Sequence, residues 1–264
     1  MKLSKKILIS FTLGLCMNPA FADQNFFNAT EISAKKGDMT AQYNLGVMYA
    51  NGQGVTQNYS KAFEWYSRAA AQGDMTAQYN LGKMFEKGLG LSQNDFNAFE
   101  WYSRAAAQGD VDAQNRLGVM YANGQGVAQN YSKAFEWYGK AAAQGDATAQ
   151  YNLGSMYDNG EGVTQNHSKA FHWYSKAAAQ GDVNAQNNLG ALYVNGQGVA
   201  QSYSKAFEWY SKAAAQGNLN AQYNLGVMYY NGDGISQSDA KAVEWFNKAA
   251  AQGHAQAKRL LETW

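Results

Sequence analysis

The sequence predicts an all-α fold, an α/α superhelix (solenoid) of helix-turn-helix repeats, and two observations predict it. The segment Ala-Gln-Tyr-Asn-Leu-Gly begins at Ala41 and returns in close variants at steps of 36 residues, at Ala77, Ala113, Ala149, Ala185 and Ala221. The segment KAFEWYSRAAAQGD, which begins at Lys61, returns in the same register. Because so short a pair of helices cannot bury its own apolar face, the fold must come from the stacking of neighbouring pairs.

The period divides the chain into repeats and end segments. We expect six full repeats at residues 38–73, 74–109, 110–145, 146–181, 182–217 and 218–253. Residues 23–37 match the second half of a repeat and predict an N-terminal capping helix. Residues 254–264 match the first half of a repeat and predict a C-terminal capping helix.

Residues 1–22 read as a cleaved signal peptide. Three lysines precede a short apolar run at residues 7–17, and Ala20-Phe21-Ala22 is a small-x-small cleavage site. A membrane anchor is disfavoured because the run is shorter than the roughly 18 residues that a span needs. A lipoprotein site at Cys16 is disfavoured because Leu15 stands where a small residue is required. We therefore expect an exported protein, periplasmic or secreted, whose mature chain has no membrane span.

Net charge argues against a nucleic-acid partner, and cysteine content argues against disulfides in the mature chain. Residues 1–22 carry three of the 21 basic residues and none of the 20 acidic ones, so cleavage changes the net charge from +1 to −2. A near-neutral chain has no basic field for nucleic acid, and we expect no nucleic-acid partner. The one cysteine lies in the signal peptide, so the mature chain must be held together by packing without disulfides.

The first helix of each repeat is predicted to begin after Asp38, whose side chain can cap free N–H groups. Asp74, Asp110, Asp146, Asp182 and Asn218 stand in register, whereas His254 departs from this pattern. An apolar stripe follows at helical spacing, formed by Ala41, Leu45, Met48 and Tyr49. A glycine recurs inside this helix, at Gly46 in the first repeat, and it predicts close approach of a neighbouring helix.

The second helix is predicted to begin after Asn58, with Asn94, Asn130, Asn166, Ser202 and Ser238 in register. Ala62, Trp65, Tyr66 and Ala69 form its buried stripe, and we expect the recurring tryptophans to lie in the core. Gly73 ends the helix in a left-handed conformation. Asp74 follows at once, which makes neighbouring helices antiparallel and adjacent.

The loop YANGQGVTQN begins at Tyr49 and contains a Gly-x-Gly element, which is found in many phosphate-binding loops. A dinucleotide fingerprint needs a third glycine where this chain has Gln57, and it follows a strand rather than a helix. No Gly-Lys-Ser/Thr follows either. We interpret Gly52 and Gly54 as turn residues and Val55 as a buried plug beneath the turn.

The segments AQYNLGVMYANGQGV and KAFEWYSRAAAQGD resemble the Sel1-like repeat family, a relative of the tetratricopeptide repeats, over about residues 29–264. The resemblance implies a right-handed superhelix and an adaptor or scaffold role, in exported bacterial members often in envelope signalling or host contact. Some secreted members carry a cysteine pair in every repeat, and a few of those are linked to β-lactam binding. This chain lacks those cysteines, so that link is not carried over.

The sequence does not predict a catalytic site or a metal site. His167 and His172 are five residues apart and do not share a helix face, so we predict no metal site and interpret both as solvent-facing. The recurring serines have no partnered histidine, whereas catalysis needs a single constellation of groups in contact. We therefore predict no enzyme activity and no cofactor.

The positions that vary between repeats lie on one face of the first helix. In the first repeat they are Thr40, Tyr43, Val47 and Ala50, whose spacing places them together. By resemblance to tetratricopeptide packing, this face lines the concave groove. We predict that it binds a partner through Tyr43, Tyr79, Lys83, Glu86, Asn115, Tyr151, Asp158, Asn187, Tyr223 and Tyr230.

Tyrosine supplies a large contact area and a hydroxyl group, which favours recognition of a protein or peptide. The predicted function is therefore a non-catalytic scaffold with a protein or peptide partner. Two alternatives stay open: a module that binds cell-wall glycan such as peptidoglycan, and, less favoured, an enzyme that acts on β-lactams.

Overall fold

A computed structural model describes residues 19–263 of the chain, and it describes side chains from residue 24 onward. Residues 1–18, most of the predicted signal peptide, lie outside the described residues, as does Trp264. Between residues 19 and 263 the structure contains fourteen α-helices and no strand, which confirms the predicted all-α class. No helix in this part of the chain is long and apolar enough to cross a membrane.

Each repeat contributes two helices of thirteen residues. The first helices are α2 Met39–Asn51, α4 Met75–Lys87, α6 Val111–Asn123, α8 Ala147–Asn159, α10 Val183–Asn195 and α12 Leu219–Asn231. The second helices are α3 Tyr59–Ala71, α5 Asp95–Ala107, α7 Tyr131–Ala143, α9 His167–Ala179, α11 Tyr203–Ala215 and α13 Asp239–Ala251. Helix α1 (Pro19–Lys35) precedes them and α14 (Ala255–Thr263) follows.

The predicted helix caps are confirmed at both ends. The Asp38 side chain accepts a hydrogen bond from the Ala41 amide at 2.6 Å, and the Asn58 side chain accepts one from the Lys61 amide at 2.9 Å. Gly52 ends α2 with φ 72° and ψ 32°, and its amide donates to the Met48 carbonyl. These caps satisfy backbone groups that a helix end leaves free.

The terminal helix differs from the sequence expectation. His254 was expected to depart from the capping pattern, yet its Nδ1 accepts a hydrogen bond from the Ala257 amide at 3.2 Å. Its ring also stacks on Tyr223 at 4.4 Å between centroids. A neutral imidazole nitrogen is a hydrogen-bond acceptor, so histidine can replace Asp or Asn in this role.

The glycine inside each first helix is a contact point for the second helix of the same repeat. A Cβ atom added to Gly46 would lie 2.6 Å from the ring of Tyr66, and the other five repeats pair a glycine with an aromatic ring in the same way. Leu45 and Tyr66 are buried beside it. The predicted close approach is confirmed, and an aromatic side chain makes it.

A buried glutamine in each first helix links it to the second helix of the same repeat and to the helix that precedes it. Gln42 donates to the Ala34 carbonyl at 3.2 Å and accepts from Gln72 at 2.7 Å. The same side-chain pair recurs as Gln78 with Gln108, Gln114 with Gln144, Gln150 with Gln180, Gln186 with Gln216 and Gln222 with Gln252. Buried amides need such partners. The glutamine pair lies within one repeat, whereas the bond to a carbonyl such as that of Ala34 or Ala70 reaches the preceding helix.

The tryptophans are less buried than predicted. Trp65 is buried, but Trp101, Trp137, Trp173, Trp209 and Trp245 are only half-buried. A cation covers each ring, as Arg104 does over Trp101 with 4.3 Å to the centroid. The exposed part of the indole therefore lies under a long basic side chain, whose stem and charge both contact the ring.

The Gly-x-Gly loop is a turn between helices. Gly54 has a φ of 66°, and the Gln57 side chain closes the loop by donating to the Ala50 carbonyl at 2.7 Å. The same bond recurs at Gln129, Gln165, Gln201 and Gln237. Val55 is half-buried rather than fully buried, because it packs at the rim of the core.

Candidate functional site

We define the groove face as the surface of the first helices formed by Thr40, Tyr43, Val47, Ala50 and their counterparts in the later repeats. In α2 the Thr40 side chain is exposed, whereas Tyr43, Val47 and Ala50 are half-buried. The partly buried residues pack against the first core cluster. The face is therefore an ordered surface rather than a row of freely solvated side chains.

Four tyrosines of the groove face pack against aromatic rings of the second helices in a tilted arrangement. Tyr43, Tyr79, Tyr151 and Tyr223 lie 5.6–5.9 Å, between ring centroids, from Tyr66, Tyr102, Tyr174 and Phe246 respectively. Burial, and after it the carboxylates of Asp112 and Asp110, raise the pKa of Tyr79 to about 12. Its hydroxyl is therefore protonated at neutral pH and can donate a hydrogen bond.

Two asparagines of the groove face replace tyrosine and link neighbouring repeats. The Asn152 amide donates to Asn115 at 3.4 Å, and the Asn224 amide donates to Asn187 at 3.3 Å. Asn115 and Asn187 are both half-buried. Tyrosine and asparagine are thus both accommodated at this position of the repeat.

Glu86 is engaged within the chain. The Tyr102 hydroxyl donates to its Oε2 at 2.7 Å, and Arg116 of the next repeat pairs with both of its carboxylate oxygens. The Glu86 side chain is 16% exposed. Its charge is neutralised internally, so it shapes the groove face but offers little charge to a partner. Arg116 stands where the other repeats have asparagine, which is the signal that sequence reasoning missed.

Asp158 is also paired. Its Oδ1 lies 2.7 Å from Nδ1 of His167, and the His167 side chain is 30% exposed. The interpretation of His167 as a solvent-facing residue is therefore wrong, because the ring turns back onto the groove face. His172 is exposed, as expected.

Lys83 and Tyr43 line a pocket of about 380 Å³ between the first two repeats. The Lys83 ammonium lies 5.5 Å from the centroid of the Tyr79 ring. Tyr230 is 50% exposed and lines a second pocket of about 350 Å³ near the C-terminal end of the face. Three of the predicted residues, Tyr43, Lys83 and Tyr230, therefore line pockets near the two ends of the repeat array.

The described residues contain no group of three or more His, Cys, Asp or Glu side chains that could hold a metal ion. The groove face carries tyrosine rings packed on other rings, amides, the Glu86–Arg116 ion pair, the contact between Asp158 and His167, and an open pocket with two lysines. Such groups suit non-covalent recognition of extended polar and apolar surface.

Comparison with solved structures shows close relatives of the fold. A crystal structure of a protective antigen present in uropathogenic Escherichia coli strains, described as displaying an SLR fold, is 37% identical with a TM-score of 0.83. The alignment covers 88% of this chain and 50% of the antigen, so this chain spans about half the antigen's length. A Sel1 repeat protein from Oxalobacter formigenes is 33% identical with a TM-score of 0.72, over 88% of this chain and 96% of that one.

No curated protein matches the chain. The model of the Sel1 repeat matches six segments in succession, at residues 40–74, 76–110, 111–146, 147–182, 183–218 and 219–254. Proteins built from this repeat are generally protein-interaction modules and are typically non-catalytic scaffolds. The repeat matches, the helix pairs and the solved relatives together show that this chain belongs to the Sel1 repeat family.

Proposed function

We propose that the protein is an exported, non-catalytic scaffold that binds a protein or peptide along its groove face, which we expect to be concave. The observation that carries the proposal is the composition of this face. Four half-buried tyrosines and two half-buried asparagines occupy equivalent positions along the stack of first helices. Aromatic side chains that are already ordered lose little conformational entropy when a partner covers them.

Export and a role in envelope signalling or host contact form the second part of the proposal. They are supported by the basic start, apolar run and small-x-small site of residues 1–22. The likeness to a protein described as a protective antigen also supports host contact. N-terminal sequencing of the protein recovered from periplasm and medium tests export. A chain that begins at Asp23 supports it, and a chain retained in the cytoplasm with residues 1–22 contradicts it.

The groove assignment is tested by the triple variant Tyr79→Asn, Tyr151→Asn and Tyr223→Asn. Asparagine already occupies this position at Asn115 and Asn187, so the variant preserves a side chain that the repeat accommodates. The matched control changes three exposed residues of second helices to asparagine: Glu64, Glu136 and Glu208.

Partner capture from envelope extracts is then compared between the two variants. We expect the tyrosine variant to lose at least about tenfold in captured partner, since central aromatic contacts dominate binding free energy. The control should capture as well as the unmodified protein. If the tyrosine variant captured as much partner as the unmodified protein, the groove assignment would be wrong. Retention of purified peptidoglycan with the same tyrosine dependence would assign the groove to glycan instead.

A further inference from the structure

Two lysines distinguish the second repeat from the others. Lys83 and Lys87 lie one turn apart on α4. In the other repeats the position of Lys83 holds Val47, Val119, Ser155, Ala191 and Val227, and the position of Lys87 holds Asn51, Asn123, Asn159, Asn195 and Asn231. Packing of the repeat therefore does not require either charge.

Neither lysine forms an ion pair with any residue that the structure describes. The adjacent carboxylate of Glu86 pairs with Arg116 and accepts a hydrogen bond from the Tyr102 hydroxyl. Among the described residues, the Lys83 ammonium lies 5.5 Å from the centroid of the Tyr79 ring. Two positive charges therefore face this part of the groove without a neutralising acid.

Both lysines line the pocket of about 380 Å³ that opens between α2 and α4. Tyr43, Tyr59 and Asn80 add polar groups to its wall. Val47 and Met84 add apolar surface. We call this cavity the lysine pocket. It combines two cations, hydrogen-bonding groups and an apolar floor within the size range of a side-chain subsite.

We propose that the lysine pocket binds an acidic side chain, Asp or Glu, of a partner's extended peptide segment, with an adjacent apolar residue against Val47 and Met84. The inference rests on the proposed function, since it names the chemistry that one end of the groove recognises. A carboxylate would accept charge-assisted hydrogen bonds from the Lys83 and Lys87 ammonium groups. A peptide fits better than a free small anion because the pocket is continuous with the groove face through Tyr43 and Val47.

The test uses two blocked tripeptides, acetyl-Phe-Glu-Leu-amide and acetyl-Phe-Gln-Leu-amide, each with 4-fluorophenylalanine for detection by fluorine NMR line broadening. The protein variant is Lys83→Val with Lys87→Asn, which installs the residues of the first repeat, Val47 and Asn51. The control, Lys36→Asn with Lys258→Asn, removes the same charge from exposed positions near the two ends of the chain. Circular dichroism melting verifies that both variants are folded.

We expect the Glu peptide to bind about fivefold more tightly than the Gln peptide, with a preference that weakens as salt rises. The preference should vanish in the Lys83/Lys87 variant and persist in the control. Equal binding of the two peptides, no binding of either at millimolar concentration, or a preference that survives in the Lys83/Lys87 variant would overturn the proposal. Absence of a Glu preference in the unmodified protein, together with intact tyrosine-dependent partner capture, would refute only the lysine pocket and leave the proposed function standing.

Discussion

Arg116 pairs with both carboxylate oxygens of Glu86 in the preceding repeat, and the Tyr102 hydroxyl donates to the same carboxylate. The equivalent positions of the first repeat interface hold Ala50 and Asn80. The two charged residues therefore occur together at one interface and are replaced together at another. This pairing joins the second and third repeats on the groove face.

Replacing Arg116 with asparagine should lower the free energy of unfolding by about 1–2 kcal/mol, because the mostly buried Glu86 carboxylate loses its counter-charge. Urea unfolding measures the change. The double variant Glu86→Ala with Arg116→Asn recreates the Ala50–Asn80 combination and should recover most of the loss. An Arg116→Asn protein as stable as the unmodified one would show that the ion pair contributes nothing to stacking.

Two glycines of the third repeat should respond in opposite directions to the same change. A Cβ at Gly118 would lie 2.5 Å from the Tyr138 ring, whereas a Cβ at Gly139 would meet no heavy atom within 4 Å. Gly118→Ala should destabilise by about 1–2 kcal/mol, because overpacking exceeds the gain in helix propensity. Gly139→Ala should stabilise by up to about 1 kcal/mol. Thermal melts that moved the two variants in the same direction would contradict this packing.

His254 should make the stability of the C-terminal end depend on pH. Burial lowers the pKa of His254 below its usual 6.5. The unfolded chain therefore takes up a proton more readily than the folded one, so the contribution of His254 is fully present above pH 6.5. It is lost as the pH falls from that value through the lowered folded pKa.

The variant His254→Asn isolates this contribution, since Asn218 caps α12 by accepting from the Ala221 amide at 2.9 Å. The urea midpoint should fall less between neutral pH and mild acid in this variant than in the unmodified protein. His167 and His172 are unchanged in both proteins, so His254 is the one histidine that differs in the comparison. Identical pH profiles of the urea midpoint in the two proteins would show that His254 does not contribute to the pH dependence of stability.

Deletion of residues 254–264 should lower the melting temperature by several degrees. The deletion removes the buried Ala257 and the His254 ring that stacks on Tyr223, and it uncovers apolar surface of α13. Terminal repeats need such a cover. A differential scanning calorimetry trace with an unchanged midpoint would show that α14 does not act as a cap.

The fold was predictable because residues next to each helix mark where it begins and ends, and because the same pattern recurs in every repeat. Asp38 and Asn58 mark helix starts, Gly52 and Gly73 mark helix ends, and the 36-residue step fixes how the pairs follow one another. Six independent copies of one pattern remove the ambiguity that a single copy would carry.

The contacts between repeats were not predictable in the same way. Nothing near Gln108 in the sequence identifies the Gly73 carbonyl of the preceding repeat as its partner, because the two meet only after the helices stack. The pairing of Glu86 with Arg116 spans 30 residues and occurs at one interface. At the candidate site, the assignment of the groove face stays a prediction from the sequence. The structure adds that Glu86 and Asp158 are internally paired and that Lys83 lines an open pocket.

The central claim is that partners bind on the groove face, and photo-crosslinking in cells tests it most directly. A benzophenone amino acid is placed at Val119 or Ala191 on this face, and at the exposed Glu136 or Glu208 on second helices. We predict a discrete partner adduct when the crosslinker is at Val119 or Ala191, and none when it is at Glu136 or Glu208. Adducts that form only from the second helices would contradict it.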